Sequence, residues 1–160
     1  MNWHQDNELK AIVAHSKKGW MNGVIGQLRI QDFDEKTWAK GNGHVHLLLI
    51  NGHNSHHTKE FLDYARDHNI HVLCYPAHVT HVYQGLDVAI FGALKNHWSD
   101  EWNQYESSTW QKVTKANFIS IYGHAHHPIL IPKNICSAFK ATRVWPFHPK
   151  VVTAEMMAPS

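Results

Sequence analysis

Two short polar blocks contain the residue types that bind metal ions. The first begins at Asn51, directly after the apolar run Leu47 to Ile50, and the second extends from Pro76 to Asp87. An apolar run that stops at polar residues is typical of a buried strand that delivers side chains to a site at its end. The imidazole and carboxylate groups that could bind Zn²⁺ there belong to His53, His56, His57, His78, His81 and Asp87. The residues alone thus permit a histidine-rich metal-binding or protein-interaction module.

The pattern around the two blocks predicts a strand, a helix and a second, parallel strand. We expect His44 to Ile50 to be a strand covered on both faces, because its second half is entirely apolar. Thr58 is a suitable N-cap for a helix from Lys59 to about His68, and Ile70 to Tyr75 is the second apolar strand. A βαβ unit of this kind places both polar blocks at the carboxyl ends of its strands.

Helices are predicted on both sides of the βαβ unit from apolar residues at helical spacing. They are Asn22 to about Lys40, a long helix from Val88 with Asp87 at its start, Thr109 to about Tyr122, and Ile135 to about Thr142. A short strand is expected at Leu9 to Ala14, and Val151 to Ser160 is expected to be loose.

Composition limits the classes of function. The chain has 160 residues, 43% of them hydrophobic, and its formal net charge of +2 gives little support for polyanion binding. Partial protonation of its 16 histidines near pH 6 would make the surface slightly more cationic. Cys74 and Cys136 lie far apart, and Cys74 is expected to be a buried free thiol. No apolar run approaches about 18 residues and no signal-peptide pattern opens the chain, so we expect a soluble protein without a membrane partner.

The two blocks resemble the second and third catalytic blocks of the DDE superfamily of transposase endonucleases, in its pogo-like branch. That branch usually reads Leu-Leu-Asp-Gly-His-x-Ser-His and then Pro-Pro-His-x-x-His-x-x-Gln-Pro-Leu-Asp. Here Asn51 stands at the second aspartate of the family and Asp87 at the third. Ala77, Gly85 and Ala93 stand where prolines are usual, and the loss of these prolines is expected to loosen the loop that positions Asp87. The first family aspartate lies on an upstream strand, and this chain is expected to start too late to contain it.

The resemblance spans roughly residues 16–160 and implies an α/β fold of the ribonuclease-H-like type. The fold is expected to be partial, without its first strands, and to carry a C-terminal helical tail. The implied division is a nuclease core at 1–104, a helical extension at 105–150 and a loose tail at 151–160. The family also implies Mg²⁺ or Mn²⁺ as cofactor, DNA and other transposase-like chains as partners, and a location in the nucleus, otherwise the cytoplasm.

The sequence predicts that this copy is catalytically inactive. Family members hold two metal ions with three carboxylates, and the ions activate the attacking hydroxyl. The amide of Asn51 provides one neutral oxygen in place of a carboxylate, so Mg²⁺ or Mn²⁺ is expected to bind weakly or not at all, with Asp87 as the remaining ligand. The alternative within the family is an active nuclease whose missing carboxylates come from another chain.

Other residues are assigned to nucleic acid or to packing. By resemblance, the side chains expected beside the active site, where they would orient carboxylates or contact phosphate, are His53, His56, His78, His81 and Gln84. The candidate phosphate contacts are Lys17, Lys18 and Lys95, which predict weak, sequence-independent DNA binding. Trp98, Trp102 and Trp110 are interpreted as packing residues. Because the sheet is expected to be incomplete, an exposed edge beside the first strand should favour self-association.

Overall fold

The computed structural model describes residues 7–17, 19–52, 58–148, 153 and 155–156. Its elements, in chain order, are α1 (Gly23–Gly41), β1 (His46–Ile50), α2 (Lys59–Asp67), β2 (Ile70–Cys74), α3 (Thr80–Tyr83), a π-helical turn (Leu86–Ile90), α4 (Phe91–Thr109), α5 (Phe118–His126) and α6 (Pro132–Ala141). The chain divides into two compact units, one of Ala14–Ala77 and the other of Met1–Val13 with His78–Ser160. The presence of helices and a parallel strand pair confirms the predicted α/β class.

The unit of Ala14–Ala77 contains the predicted βαβ arrangement. β1 and β2 are parallel, with Cα partners from His46 and Ile70 to Ile50 and Cys74, and α2 connects them. Thr58 caps α2 as predicted, since its hydroxyl accepts a hydrogen bond of 3.3 Å from the Phe61 N–H. Asn22 caps α1 in the same way. Both helices therefore begin where their cap residues indicate.

One face of the strand pair packs against α1 and α2. Ile30, Phe61 and Ile70 are buried together in this core. On the opposite face, Leu47 is 57% exposed and Leu73 is 56% exposed, so the prediction that the first strand is covered on both faces is wrong. The two helices of this unit cover a single face, and alternate side chains of each strand point away from them.

The edges and ends of the strand pair are open in the part of the chain that the structure describes. There β1 pairs with β2 alone, which leaves its other edge without a strand partner. Cys74 is not in a disulfide, but the expectation that it is buried is wrong: it is exposed at the last residue of β2. Whether the open edge causes self-association stays a prediction.

In the second unit, α4, α5 and α6 pack around a small apolar core. Its buried members are Ile90, Leu94, Ala125, Ile129 and Ala138. The predicted helix from Thr109 to Tyr122 is correct only from Phe118 onward, because α4 ends at Thr109 and α5 starts at Phe118. α6 begins at Pro132, a residue favoured in the first turn of a helix, three residues before the predicted start.

The remaining expectations concern the chain ends. The segment from Leu9 to Ala14 is not a strand, because the Asn7 side chain bonds both backbone groups of Ala11, at 2.7 and 3.1 Å, and holds a turn. Most of Val151 to Ser160 lies outside the described residues.

Residue 104 lies inside α4, and the division into a nuclease core and a helical extension stays a prediction. Among the described helices, none combines the length and the apolar character needed to cross a membrane.

Candidate functional site

Asn51 directly follows the last residue of β1, where the sequence predicts a functional side chain. Ile50 is 4% exposed, and its carbonyl accepts a hydrogen bond of 2.8 Å from the Tyr75 N–H, which fixes the end of β1 beside β2. Asn51 and Gly52 are both exposed. The strand end therefore holds a neutral amide at the point where the family resemblance expects a carboxylate.

The histidines that follow Asn51 lie outside the described residues. This applies to His53, His56 and His57. Lys18, a predicted phosphate contact, also lies outside them. The structure resumes at Thr58, the N-cap of α2.

Asp87 lies in the π-helical turn that precedes α4. The Phe91 N–H donates to the Leu86 carbonyl, five residues back, and this bond marks the π-helical turn. The N–H groups of Asp87 and Val88 both donate to the Gln84 carbonyl, at 3.0 and 3.1 Å. Asp87 is exposed in the first turn of a helical segment, where a carboxylate is favoured by the helix dipole. The predicted helix start is correct, but its first turn is not α-helical.

Gly85 connects the turn before Asp87 to α6. A Cβ atom at Gly85 would lie 3.2 Å from the backbone carbonyl and from the Cβ of Ala138, which is tighter than ordinary van der Waals contact. A proline, usual at this position in the pogo-like branch, would need still more room. The glycine therefore has a packing reason, because it lets α6 approach the segment that carries Asp87.

The histidines of the second block have separate surroundings. His78 is exposed and has a left-handed backbone conformation, with φ +62°. His81 lies in α3, and its Nε2 is 3.3 Å from the Met156 carbonyl oxygen. In the described part of the chain, no three side chains of His, Cys, Asp or Glu are close enough together to hold a metal ion. The described members of the suggested Zn²⁺ set, including Asp87, thus do not form such a group among themselves.

The remaining phosphate candidates are surface residues. Lys17 is exposed before α1, and Lys95 is exposed on α4. They belong to different compact units. Each offers a charge to solvent, as a phosphate contact requires.

A polar cluster around the buried Asp34, in the unit of Ala14–Ala77, was not predicted from the sequence. Asp34 in α1 is 7% exposed, and its Oδ2 lies 3.0 Å from the Tyr64 hydroxyl, which donates to it, and 2.6 Å from His68 Nδ1. The Tyr64 and His68 rings stack with centroids 3.9 Å apart. Burial raises the pKa of the Tyr64 hydroxyl, and its hydrogen bond to Asp34 raises this pKa further. Tyr64 and His68 are four residues apart, about one helical turn, and this spacing could have predicted that their side chains are neighbours.

The tryptophans separate into two groups. Trp98 is partly buried and contacts Trp102 and Phe118, each with ring centroids 5.3 Å apart, so its packing interpretation is confirmed. Trp110 is 92% exposed, and its packing interpretation is wrong. It is the C-cap residue of α4, directly after the last helical residue.

Comparison with known proteins identifies the family. Residues 2–139 match the model of the DDE superfamily endonuclease family. The chain is 30% identical over 144 residues to a protein of Cochliobolus lunatus named MFS-type transporter clz9, in a match that covers 90% of this chain and 16% of that protein. The chain thus spans about one sixth of the length of that relative. No solved structure matches it significantly. The match over most of its length shows that the chain belongs to the DDE superfamily endonuclease family.

Proposed function

We propose that this chain is a transposase-derived, ribonuclease-H-like domain that binds nucleic acid without cutting it. The observation that carries the proposal is that Asn51 follows β1 directly. By resemblance, this is the position at which the family has a carboxylate. The parallel β1–α2–β2 unit supports the ribonuclease-H-like assignment. The proposed setting is the nucleus, with DNA and other transposase-like chains as partners.

The loss of catalysis follows from the ligand preferences of Mg²⁺. This ion binds hard, charged oxygens in octahedral geometry and gives up water reluctantly. An amide oxygen carries no charge to offset the ion, so affinity should fall where Asn51 replaces aspartate. Within the described residues no group of three candidate ligands is present, and these residues fit a two-metal site poorly. Asp87 is the described residue proposed to keep a metal-binding role.

Nucleic-acid binding is proposed to depend on scattered positive charges. Lys17 and Lys95 are exposed, and the formal net charge of the chain is +2. Contacts to phosphate carry no sequence information and weaken as salt displaces them. Binding should therefore be weak, similar for unrelated duplexes and strongly salt-dependent.

Plasmid nicking tests the catalytic part of the proposal. The purified chain, incubated with supercoiled plasmid in Mg²⁺ or Mn²⁺, should produce no open-circular DNA above a metal-free control. The same assay on Asp87→Ala identifies any contaminating nuclease, because contamination would be indifferent to the substitution. Metal-dependent nicking by the unmodified chain that disappears in Asp87→Ala would contradict the proposal.

A further inference from the structure

The C-cap residue of α4, Trp110, has a backbone conformation that is unfavourable for tryptophan and a side chain that is exposed to solvent. Trp110 has φ +57° and ψ +19°, the left-handed conformation that glycine or asparagine usually supplies at a helix end. A bulky side chain is strained there. With 92% exposure the indole gains almost no burial in return. Folding alone does not account for tryptophan at this position.

The loop that follows Trp110 is held by side-chain hydrogen bonds at both ends. Glu106 accepts from the Lys112 ammonium at 2.8 Å and from the Val113 N–H at 3.3 Å. Asn117 accepts from the Thr114 N–H at 2.6 Å and donates to the Tyr105 hydroxyl at 2.9 Å. Residues 110–117 therefore form a defined platform, and little ordering is needed when a ligand meets it.

The chemistry of residues 110–117 favours binding to the face of an unpaired base. Residues 110–117 include Lys112 and Lys115 and no acidic residue, and Lys112 is already paired with Glu106. The dominant feature is thus a flat, accessible indole with modest positive charge around it. Exposed aromatic rings on such surfaces stack on nucleobases, whose faces are accessible in single strands and covered in a duplex.

We propose that the loop 110–117 is a contact site for single-stranded nucleic acid, in which the Trp110 indole stacks on an unpaired base. The inference rests on the proposed function, because it takes nucleic acid as the ligand of this chain. It adds a site and a ligand class, unpaired bases, to the phosphate contacts proposed above. Stacking is not screened by salt, so the Trp110 contribution should persist when phosphate contacts weaken.

Fluorescence anisotropy with labelled oligonucleotides tests the inference. The probes are 20-nucleotide oligothymidine, oligouridine of equal length and a blunt duplex, each at about 50 and about 200 mM salt. Trp110→Gly should weaken single-strand binding by at least about fivefold, by the same factor at both salts, and leave duplex binding unchanged. The two single strands differ in the sugar and in the C5-methyl group of the base, and Trp110→Gly should weaken the binding of both, because both present unpaired bases.

Two further variants separate stacking from misfolding. Trp110→Gly should melt at the same or a higher temperature than the unmodified chain, because glycine adopts the left-handed conformation without strain. Trp110→Phe should retain part of the single-strand affinity. Trp38→Ala removes another exposed indole, 55% exposed on α1, and should leave binding unchanged.

The outcomes distinguish this inference from the proposed function. If the chain binds duplex and single strand and Trp110→Gly binds both as well as before, the stacking site is wrong and the nucleic-acid role stands. An equal loss for duplex and single strand would also overturn the stacking site. If no oligonucleotide binds at either salt, both proposals of nucleic-acid binding fail, and a protein partner becomes the explanation for the exposed tryptophan.

Discussion

The end of β1 and the segment from Gly85 to Asn117 show two different ways in which this sequence determines its backbone. At the end of β1, burial of apolar side chains such as Ile50 sets the backbone, and the residue that follows, Asn51, is exposed. Between Gly85 and Asn117, a close glycine contact and local side-chain hydrogen bonds set the turns. We therefore expect a substitution at the exposed position after β1 to leave the strand end intact.

Truncation of the buried residue beside Asn51 should have the largest effect on stability. Ile50→Ala should lower the free energy of unfolding by about 2 to 5 kcal/mol. The Ile50 side chain is only 4% exposed, so its removal leaves a cavity in the core. Asn51→Asp, one residue further, should change it by less than about 0.5 kcal/mol, as is usual at exposed positions. Urea denaturation of both variants measures the contrast. Equal effects would show that Asn51 has a structural role.

The contact of Gly85 with α6 predicts a smaller effect. Gly85→Ala should destabilise the chain by about 1 to 3 kcal/mol, because the added methyl group would press on the Ala138 carbonyl 3.2 Å away. Gly92→Ala is the matched control, since a Cβ there meets nothing within 4 Å and alanine favours the helix by about 1 kcal/mol. A lower melting temperature for Gly85→Ala and a higher one for Gly92→Ala would support the packing role of Gly85. If both substitutions stabilise, α6 yields easily and does not position the Asp87 segment.

The loop after α4 predicts the smallest effect, and it depends on pH. The Lys112 hydrogen bond holds the pKa of the Glu106 carboxyl below its ordinary value of 4.5. Its stabilising contribution is therefore complete above that value and is lost as the pH falls through the lower pKa of the folded state. Glu106→Gln should lower the urea midpoint at pH 7, and the difference from the unmodified chain should shrink as the pH falls below 4.5. A difference that is independent of pH would mean that the charge of Glu106 does not hold the loop.

The same contrast explains which features the sequence could predict. β1, α2 and β2 follow from apolar runs and from Thr58, whose preference for a helix start is strong and local. The break between α4 and α5 was missed because Thr114 and Asn117 bond the backbone in a way that competes with a helix, and periodicity does not register such bonds. The exposure of Trp110 was missed because helical spacing alone does not show where the helix ends.

The candidate site was predictable to a similar degree. The sequence placed Asn51 at a strand end and Asp87 at a helix start, and the structure has both in those positions. The π-helical turn around Asp87 was not predicted, because it depends on the i to i+5 bond of Phe91 and on the approach of α6 to Gly85. The role of Asn51 as a lost metal ligand and that of Asp87 as a retained one stay proposals.

Binding of Mn²⁺, followed by the electron paramagnetic resonance signal of the free ion, tests whether Asn51 occupies the position of a lost metal ligand. The unmodified chain should bind Mn²⁺ weakly, and Asn51→Asp should tighten binding by about tenfold, since a carboxylate attracts a nearby ion by about 1 kcal/mol per unit charge even in water. Asn96→Asp, which adds the same charge at an exposed position on α4, should have no such effect. Unchanged Mn²⁺ affinity in Asn51→Asp, or equal gains in Asn51→Asp and Asn96→Asp, would contradict the claim that Asn51 occupies the position of a lost metal ligand.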